Sequence, residues 1–428
     1  MANSEHLDIL RQGTKSWNSW KRENIYVIPD LSGADLSDVD LVSANLNGAN
    51  LIQANLFDAY LNGADLSGAD LSGADLSNAD LNDAFLSKTN LNKANLNRTN
   101  LTDAHFQEAD LSEAQLISAD LINTNLSTAN LSRANLSNAN LCRADFSRTN
   151  LNEADLNGAN LFKVNLSEAN LSGTRLTKAN LRNINLDKAL LHGALLGWTI
   201  FVRSDLSGVI GLEEVVHKGP STIGIDTIQQ SQGKISGVFL RRCGLSPWEI
   251  EITRLYDLNL ASEMISKILN ESLFMARTEG NIFSGGIFIS CSPSDSGFAD
   301  KLYQSLDAAG ASVWVDNHDS SDADMQGVIR EMRMCDISLI VLSENSINSD
   351  WIEGELEMAR AKEQEESFEM IYPVSLDDSW RIKTESNTLW RYLEKKNVLD
   401  FPEWETAKFE PQFNELVDSF KIKRENES

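Results

Sequence analysis

From Leu31 to Leu206 every fifth residue is Leu or Phe, an unbroken run of 36 positions in which Phe stands only at Phe106, Phe146 and Phe201. Two places before each sits a small or β-branched residue, mostly Ala, as at Ala34, Ala44 and Ala49, and the remaining columns hold Asp, Asn, Ser, Gly and Lys. A period of five fits neither the 3.6 of a helix nor the 2.0 of a strand, so it predicts a solenoid. Each pentapeptide supplies one side of a square coil, with the central Leu and the preceding Ala turned inward. Four sides close a coil, so 36 sides make nine coils, a rod about 43 Å long at the spacing of neighbouring strands.

The flanks break the period. In residues 1–29, Leu7, Leu10, Trp17 and Trp20 recur at near-helical spacing, which predicts a helical cap over 5–24 with Ser4 as N-cap and Pro29 closing the lead-in. Open solenoid ends invite stacking, so terminal caps are expected, and the two Trp read as lid packing. Residues 30–206 are the rod. Residues 207–283 read as a connector and second cap: His217 to Thr227 suggests a turn and a short strand, and Pro247 to Leu273 carries apolar residues at helical spacing, including Ile250, Leu255, Leu258, Met264, Ile265, Ile268 and Leu269, predicting one or two packed helices. His217 has no Cys or carboxylate beside it and is expected as a surface or turn histidine.

Residues 284–428 alternate apolar strands, polar loops and amphipathic helices, the pattern of a parallel sheet covered on both faces. Strands are predicted at 287–290, 312–316, 337–343, 371–376 and 397–400, and helices at 296–309, 326–334, 350–366 and 408–421. Ligands of such sheets bind beyond the carboxyl ends of the strands, so 290–294, 316–324 and 343–350 border the expected crevice. The Glu-rich stretch Glu363 to Glu369 reads as a solvated helix end, and Trp380, Trp390 and Trp404 as packing anchors.

A chain of 428 residues has room for two or three domains. With 37 Lys and Arg against 63 Asp and Glu, its net charge of −26 would repel a phosphate backbone, which argues against direct nucleic-acid binding. Cys142, Cys243, Cys291 and Cys335 form no CxxC pair and the five His are scattered, so no metal site is expected. The amino terminus lacks a basic-then-apolar leader and no run of 18 apolar residues occurs, so the expectation is a soluble cytoplasmic protein without a membrane partner. The rod's charge is uneven: residues 31–85 hold nine Asp and no Lys or Arg, whereas 86–206 hold 11 acids and 12 bases.

Runs such as Ala64-Asp65-Leu66-Ser67-Gly68 resemble the pentapeptide-repeat family, which implies a right-handed quadrilateral β-helix. Its filled interior leaves no substrate cavity, so the rod is expected to be a scaffold. Some members of that family mimic duplex DNA and inhibit topoisomerases, one alternative for the acidic end.

Phe288-Ile289-Ser290-Cys291-Ser292-Pro293-Ser294-Asp295 resembles the opening box of Toll/interleukin-1 receptor (TIR) domains, with Cys291 where Tyr is usual. Ser338 to Ser343 is similar to their central strand, and Trp351-Ile352-Glu353-Gly354-Glu355-Leu356 to the head of the next helix. The resemblance implies a flavodoxin-like α/β domain. Many bacterial relatives cleave NAD+ at the nicotinamide–ribose bond, and the resemblance assigns the catalytic acid to Glu355 and the pocket wall to Trp351. Ser290, Ser292 and Asp316 are expected as substrate contacts, with NAD+ as substrate and no metal or further cofactor.

At i and i+4, Trp351 and Glu355 share a helix face, while Ile352, Leu356 and Ala359 form the adjacent apolar face. The loop Asn317 to Asp324 carries three Asp, which disfavours a pyrophosphate there. The implied function is an immune or defence effector activated by self-association of TIR domains, with the rod as scaffold or sensor. The other alternative is a non-enzymatic assembly module that recruits TIR-containing partners.

Overall fold

Residues preceding the core Leu bridge in parallel to those twenty positions on, beginning with Asp30 to Asn50 and ending with Leu190 to Ile210, so four pentapeptides close each coil. The computed structural model describes residues 2–278, 286–316, 335–347, 350–366, 370–381, 390–393 and 395–425. It divides into two units, Met1–Val216 with Ser221–Phe239 and His217–Pro220 with Leu240–Ser428.

In the first unit each side of the coil is a turn. The Ala34 N–H donates to the Leu31 carbonyl at 3.0 Å, and the Leu31 N–H reaches up to the Asn50 carbonyl at 2.8 Å. The third residue of each turn is left-handed, as at Gly33 (φ 63°), Asp38 (φ 57°) and Lys88 (φ 61°), the geometry of a type II turn.

The Leu and Ala columns are buried throughout. Where Thr replaces the inward Ala its hydroxyl is satisfied one coil back: Thr89 donates to Leu66 O and Thr149 to Leu126 O, both at 2.9 Å. The outward Asp and Asn column is also structural. Asp70 accepts from the Ser72 N–H and from Asn90 Nδ2, each at 3.0 Å, and Asn100 Nδ2 donates to Asp80 at 2.8 Å.

The amino-terminal cap is two helices, α1 (Ser4–Arg11) and α2 (Thr14–Glu23), separated at Gly13, whose φ of 95° ends the first. Asn3, not Ser4, is the N-cap, because its side chain accepts from the Glu5 and His6 N–H groups and leaves Ser4 inside the helix. Trp17 is fully buried, donates from Nε1 to Asn45 O at 2.7 Å and tilts against Trp20 at 5.1 Å.

At the other end, α3 (Ile225–Gln230) leads to Ser231, whose Oγ accepts from the Leu206 N–H at 2.9 Å. Thr227 Oγ1 donates to Phe201 O at 3.2 Å, and Phe239, in α4 (Gly237–Arg242), meets Phe201 edge-on at 6.0 Å.

The second unit includes α5 (Pro247–Thr253), closed by a Ser246–Glu249 capping box, and α6 (Ser262–Thr278). They pack on each other, but the expected apolar stripe is only partly covered: Ile268 is buried, while Leu258, Met264, Ile265 and Leu269 are exposed.

The sheet that follows comprises β1 (Ile287–Ser290), β2 (Val313–Asp316), β3 (Ile337–Leu342), β4 (Ile371–Ser375) and β5 (Leu399–Asp400), all parallel, in the order β5-β4-β3-β1-β2. On one face lie α7 (Ser296–Ala308) and α10 (Phe409–Glu425), on the other α8 (Asp350–Glu366) and the short α9 (Trp390–Leu393). The predicted helix at 326–334 and the loop Asn317 to Asp324 lie outside the described residues.

His217 corrects an expectation, being buried rather than at the surface. Burial and then the Arg242 charge hold its imidazole neutral, with a pKa lowered to about 3. The unfolded chain takes up a proton below pH 6.5 and the folded one does not, so this contribution is full above pH 6.5 and is lost as pH falls toward 3. Replacing His217 with Gln is expected to remove about 1.4 kcal/mol per pH unit from the acid-side slope of stability, measured as urea midpoints between pH 7.5 and 4.5.

Candidate active site

Strand alternation sends Ile287 and Ile289 toward α7 and α10, and Phe288 toward α8; Ser290 falls on the α8 side. From α8, Ile352, Leu356 and Ala359 pack on Phe288, Trp314, Ile340 and Leu342. Glu355 stands on the shoulder of that stripe. Its carboxylate meets the last residue of β1 and accepts a hydrogen bond from the Ser290 hydroxyl, with Ser290 fully buried and Glu355 only 3 % exposed.

This contact sits where the sheet order reverses, since β1 pairs with β2 on one side and β3 on the other. Open α/β sheets bind ligands at the carboxyl end of such a switch point. Two loops flank it. Ser292 Oγ accepts from the Ser294 N–H at 3.3 Å and caps the turn after β1. Asp295, at the head of α7, accepts from Ser343 Oγ at 2.5 Å and Asn345 Nδ2 at 2.8 Å, which ties that loop to the one after β3.

On the opposite flank Asp377 accepts from the Glu344 and Ser379 N–H groups, each at 2.9 Å. Partial burial works to raise its pKa, and hydrogen bonds from Glu344 and Ser379 outweigh it, so the carboxyl stays below its usual range. The rim is thus braced by two carboxylates that the sequence reading had given no role, although Asp295 is the last residue of the motif that opens the domain.

Of the expected site residues, Ser290 and Glu355 are in contact and Ser292 lies two residues along the same loop. Asp316 pairs in register with Ser290 on the neighbouring strand, and Trp351 is in the first turn of α8. The side chains of Trp351 and Asp316 lie outside the described residues.

Glu363 overturns the reading of a solvated helix end. It is buried, accepts from the Met370 and Ile371 N–H groups at 2.8 Å, and meets Lys396 Nζ at 2.9 Å and the Tyr392 hydroxyl. Among the described residues no three His, Cys, Asp or Glu side chains converge as metal ligands would, and no helix is long and apolar enough to cross a membrane.

The TIR-domain family model matches residues 287–417. The chain carries a TIR domain. The pentapeptide-repeat model matches in eight copies over residues 30–58, 54–92, 94–133, 129–168 and 169–208, so pentapeptide repeats precede the TIR domain.

Among solved structures, the chain is similar to HetL, a pentapeptide repeat protein involved in heterocyst differentiation regulation in Nostoc, at 28 % identity over 47 % of this chain and 94 % of HetL, TM-score 0.22. It is similar to QnrB1, a plasmid-mediated fluoroquinolone resistance protein, at 18 % identity over 43 % and 89 %, TM-score 0.26. A pentapeptide repeat protein of the Arabidopsis thaliana thylakoid lumen aligns at 29 % identity over 28 % and 68 %, TM-score 0.21. No curated protein matches the chain significantly.

Proposed function

We propose that the TIR domain hydrolyses NAD+ at the nicotinamide–ribose bond, with Glu355 as its catalytic carboxylate, and that the protein is a defence effector switched on by self-association, the repeat rod serving as scaffold or sensor. The observation that carries this reading is the buried Glu355 carboxylate against Ser290 at the switch point of the sheet.

Nicotinamide leaves a pyridinium as a neutral molecule and needs no proton. The group to stabilise is the oxocarbenium-like ribose, as in glycoside hydrolysis, and one carboxylate in a low-dielectric site serves that charge. Ser290 Oγ holds the carboxylate oriented until a ribose hydroxyl takes over as donor, and water then completes hydrolysis. Closure by a ribose or adenine nucleophile would give a cyclic product instead.

The test is incubation of the full chain with NAD+ over a concentration series, with chromatographic separation of nicotinamide, ADP-ribose and cyclic products. Turnover per chain should rise with protein concentration. Ser290→Ala is expected to lower turnover on the order of 10-fold. Because the lost hydroxyl stabilised the charged carboxylate, the acid limb of the pH profile should move to higher pH. An unmoved profile would assign Ser290 to packing alone.

The burial of Glu355 under Ser290 also favours a second reading, in which the carboxylate is structural and the domain recruits other TIR proteins. That reading expects intact NAD+ at every concentration together with specific TIR–TIR association.

A further inference from the structure

In two columns of the rod, the left-handed turn position carries opposite charges one coil apart. Lys88 meets Glu108 at 3.8 Å, Lys93 meets Glu113 at 3.6 Å, Arg133 meets Glu153 at 2.8 Å and Arg148 meets Glu168 at 3.1 Å. The same position on an edge of the first two coils holds Asp38 and Asp58, both left-handed at φ 57° and 53°. They are one coil apart, with the Asp38 N–H donating to Phe57 O at 2.9 Å.

Like charges facing each other on neighbouring strands are destabilising, and glycine would take this conformation without strain. The ion pairs among the described residues leave Asp38, Asp40 and Asp58 out. Asp83 over Asp103 and Arg143 over Lys163 repeat such like-charge stacking farther along the rod.

The edge of Asp38 and Asp58 also carries exposed apolar side chains. Phe57 and Tyr60 flank Asp58, Tyr60 lies between Asp40 and Asp80 in its column with 53 % of its surface open, and Val42 is exposed on the coil before it. After Phe85 the rod shows no other large exposed apolar side chain until Ile210. Two exposed aromatics, Phe57 and Tyr60, and a like-charge pair therefore coincide on this edge, whereas Phe85, exposed beside Asp83, is stacked on His105 at 5.3 Å.

We propose that this edge, built on Asp38, Val42, Phe57, Asp58 and Tyr60, docks a basic segment of a partner protein in which Arg or Lys is interleaved with apolar residues. Charge complementarity selects the occupant. A guanidinium can fork onto the Asp58 carboxylate while stacking on Tyr60, and the partner's apolar residues cover Phe57 and Val42. A nucleic acid has the wrong sign, and a second copy would bring the same carboxylates.

The test uses the full chain and a fluorescein-labelled peptide of four Arg-Leu-Gly repeats, followed by anisotropy at moderate and high salt. Asp38→Asn with Asp58→Asn, and separately Phe57→Ser with Tyr60→Ser, should each weaken binding about 10-fold. Asp103→Asn with Asp205→Asn, which removes the same charge elsewhere on the rod, should leave the affinity within about twofold. The Asp38 and Asp58 double variant should also melt above the wild type, because the like-charge pair is relieved.

Equal weakening by the control pair would overturn the proposal, as would unchanged binding by either edge variant. A lower melting temperature in the Asp38 and Asp58 variant would assign those residues to structure instead.

Discussion

Glu355→Gln is expected to reduce nicotinamide release from NAD+ by about 100-fold or more, with the fold retained. The substitution keeps the size of the side chain and an oxygen that can accept from the Ser290 hydroxyl, so the buried contact survives. What disappears is the negative charge. If that charge faces the ribose as the pyridinium leaves, its removal takes away preorganised stabilisation of the kind worth about 3 to 4 kcal/mol in water-excluded sites. The melting temperature should hold or rise, because a neutral amide is easier to bury than a carboxylate. Chromatography of matched reactions decides the matter: equal release from both proteins would dismiss Glu355 as the catalytic group, and no release from the wild type would leave the assembly reading standing.

The position of Glu355 was legible because two periodicities meet there. Apolar spacing along 350–366 orients α8, and alternation along 287–290 puts Ser290 on the side α8 covers. The rod was legible for a simpler reason, since a strict five-residue column of Leu has one way to be buried. Its left-handed turn positions were not, because Asp, Lys, Arg and Glu occupy them more often than Gly does and the ladder above and below enforces the conformation. The break at Gly13 was hidden by apolar residues that keep near-helical spacing across it. For α5 and α6 the spacing gave the helices but not their cover, which depends on what lies against them.

Glu363 was misread for a reason the spacing could have corrected. Ile352, Leu356, Ala359 and Glu363 follow one another at intervals of four, three and four, so Glu363 continues the buried stripe of α8. The local run of Glu points to solvent, but position along the helix decides burial. The same logic applies to Lys362, which is buried and donates from Nζ to Cys335 O at 2.8 Å.

Glu363→Ala should therefore destabilise the TIR domain by about 3 kcal/mol, near the lower end for breaking a buried ion pair. One carboxylate serves the start of β4 through the Met370 and Ile371 N–H groups, and also Lys396 and Tyr392. Burial and this hydrogen bond both push the Tyr392 hydroxyl above its ordinary pKa, which keeps it a donor. Truncation strips an acceptor from all of these groups at once and opens a void at the end of α8. The expected fall in the domain's unfolding temperature is roughly 10 °C, read by calorimetry.

Glu363→Gln keeps an acceptor for the two backbone N–H groups while losing the charge, and should fall about midway. Combining it with Lys396→Met should recover part of the loss, because the two charges leave together. Additive losses in that cycle would show that the carboxylate acts through the backbone of β4 and not through Lys396. In that event Glu363 is an internal cap for a strand, and its charge is incidental to the fold.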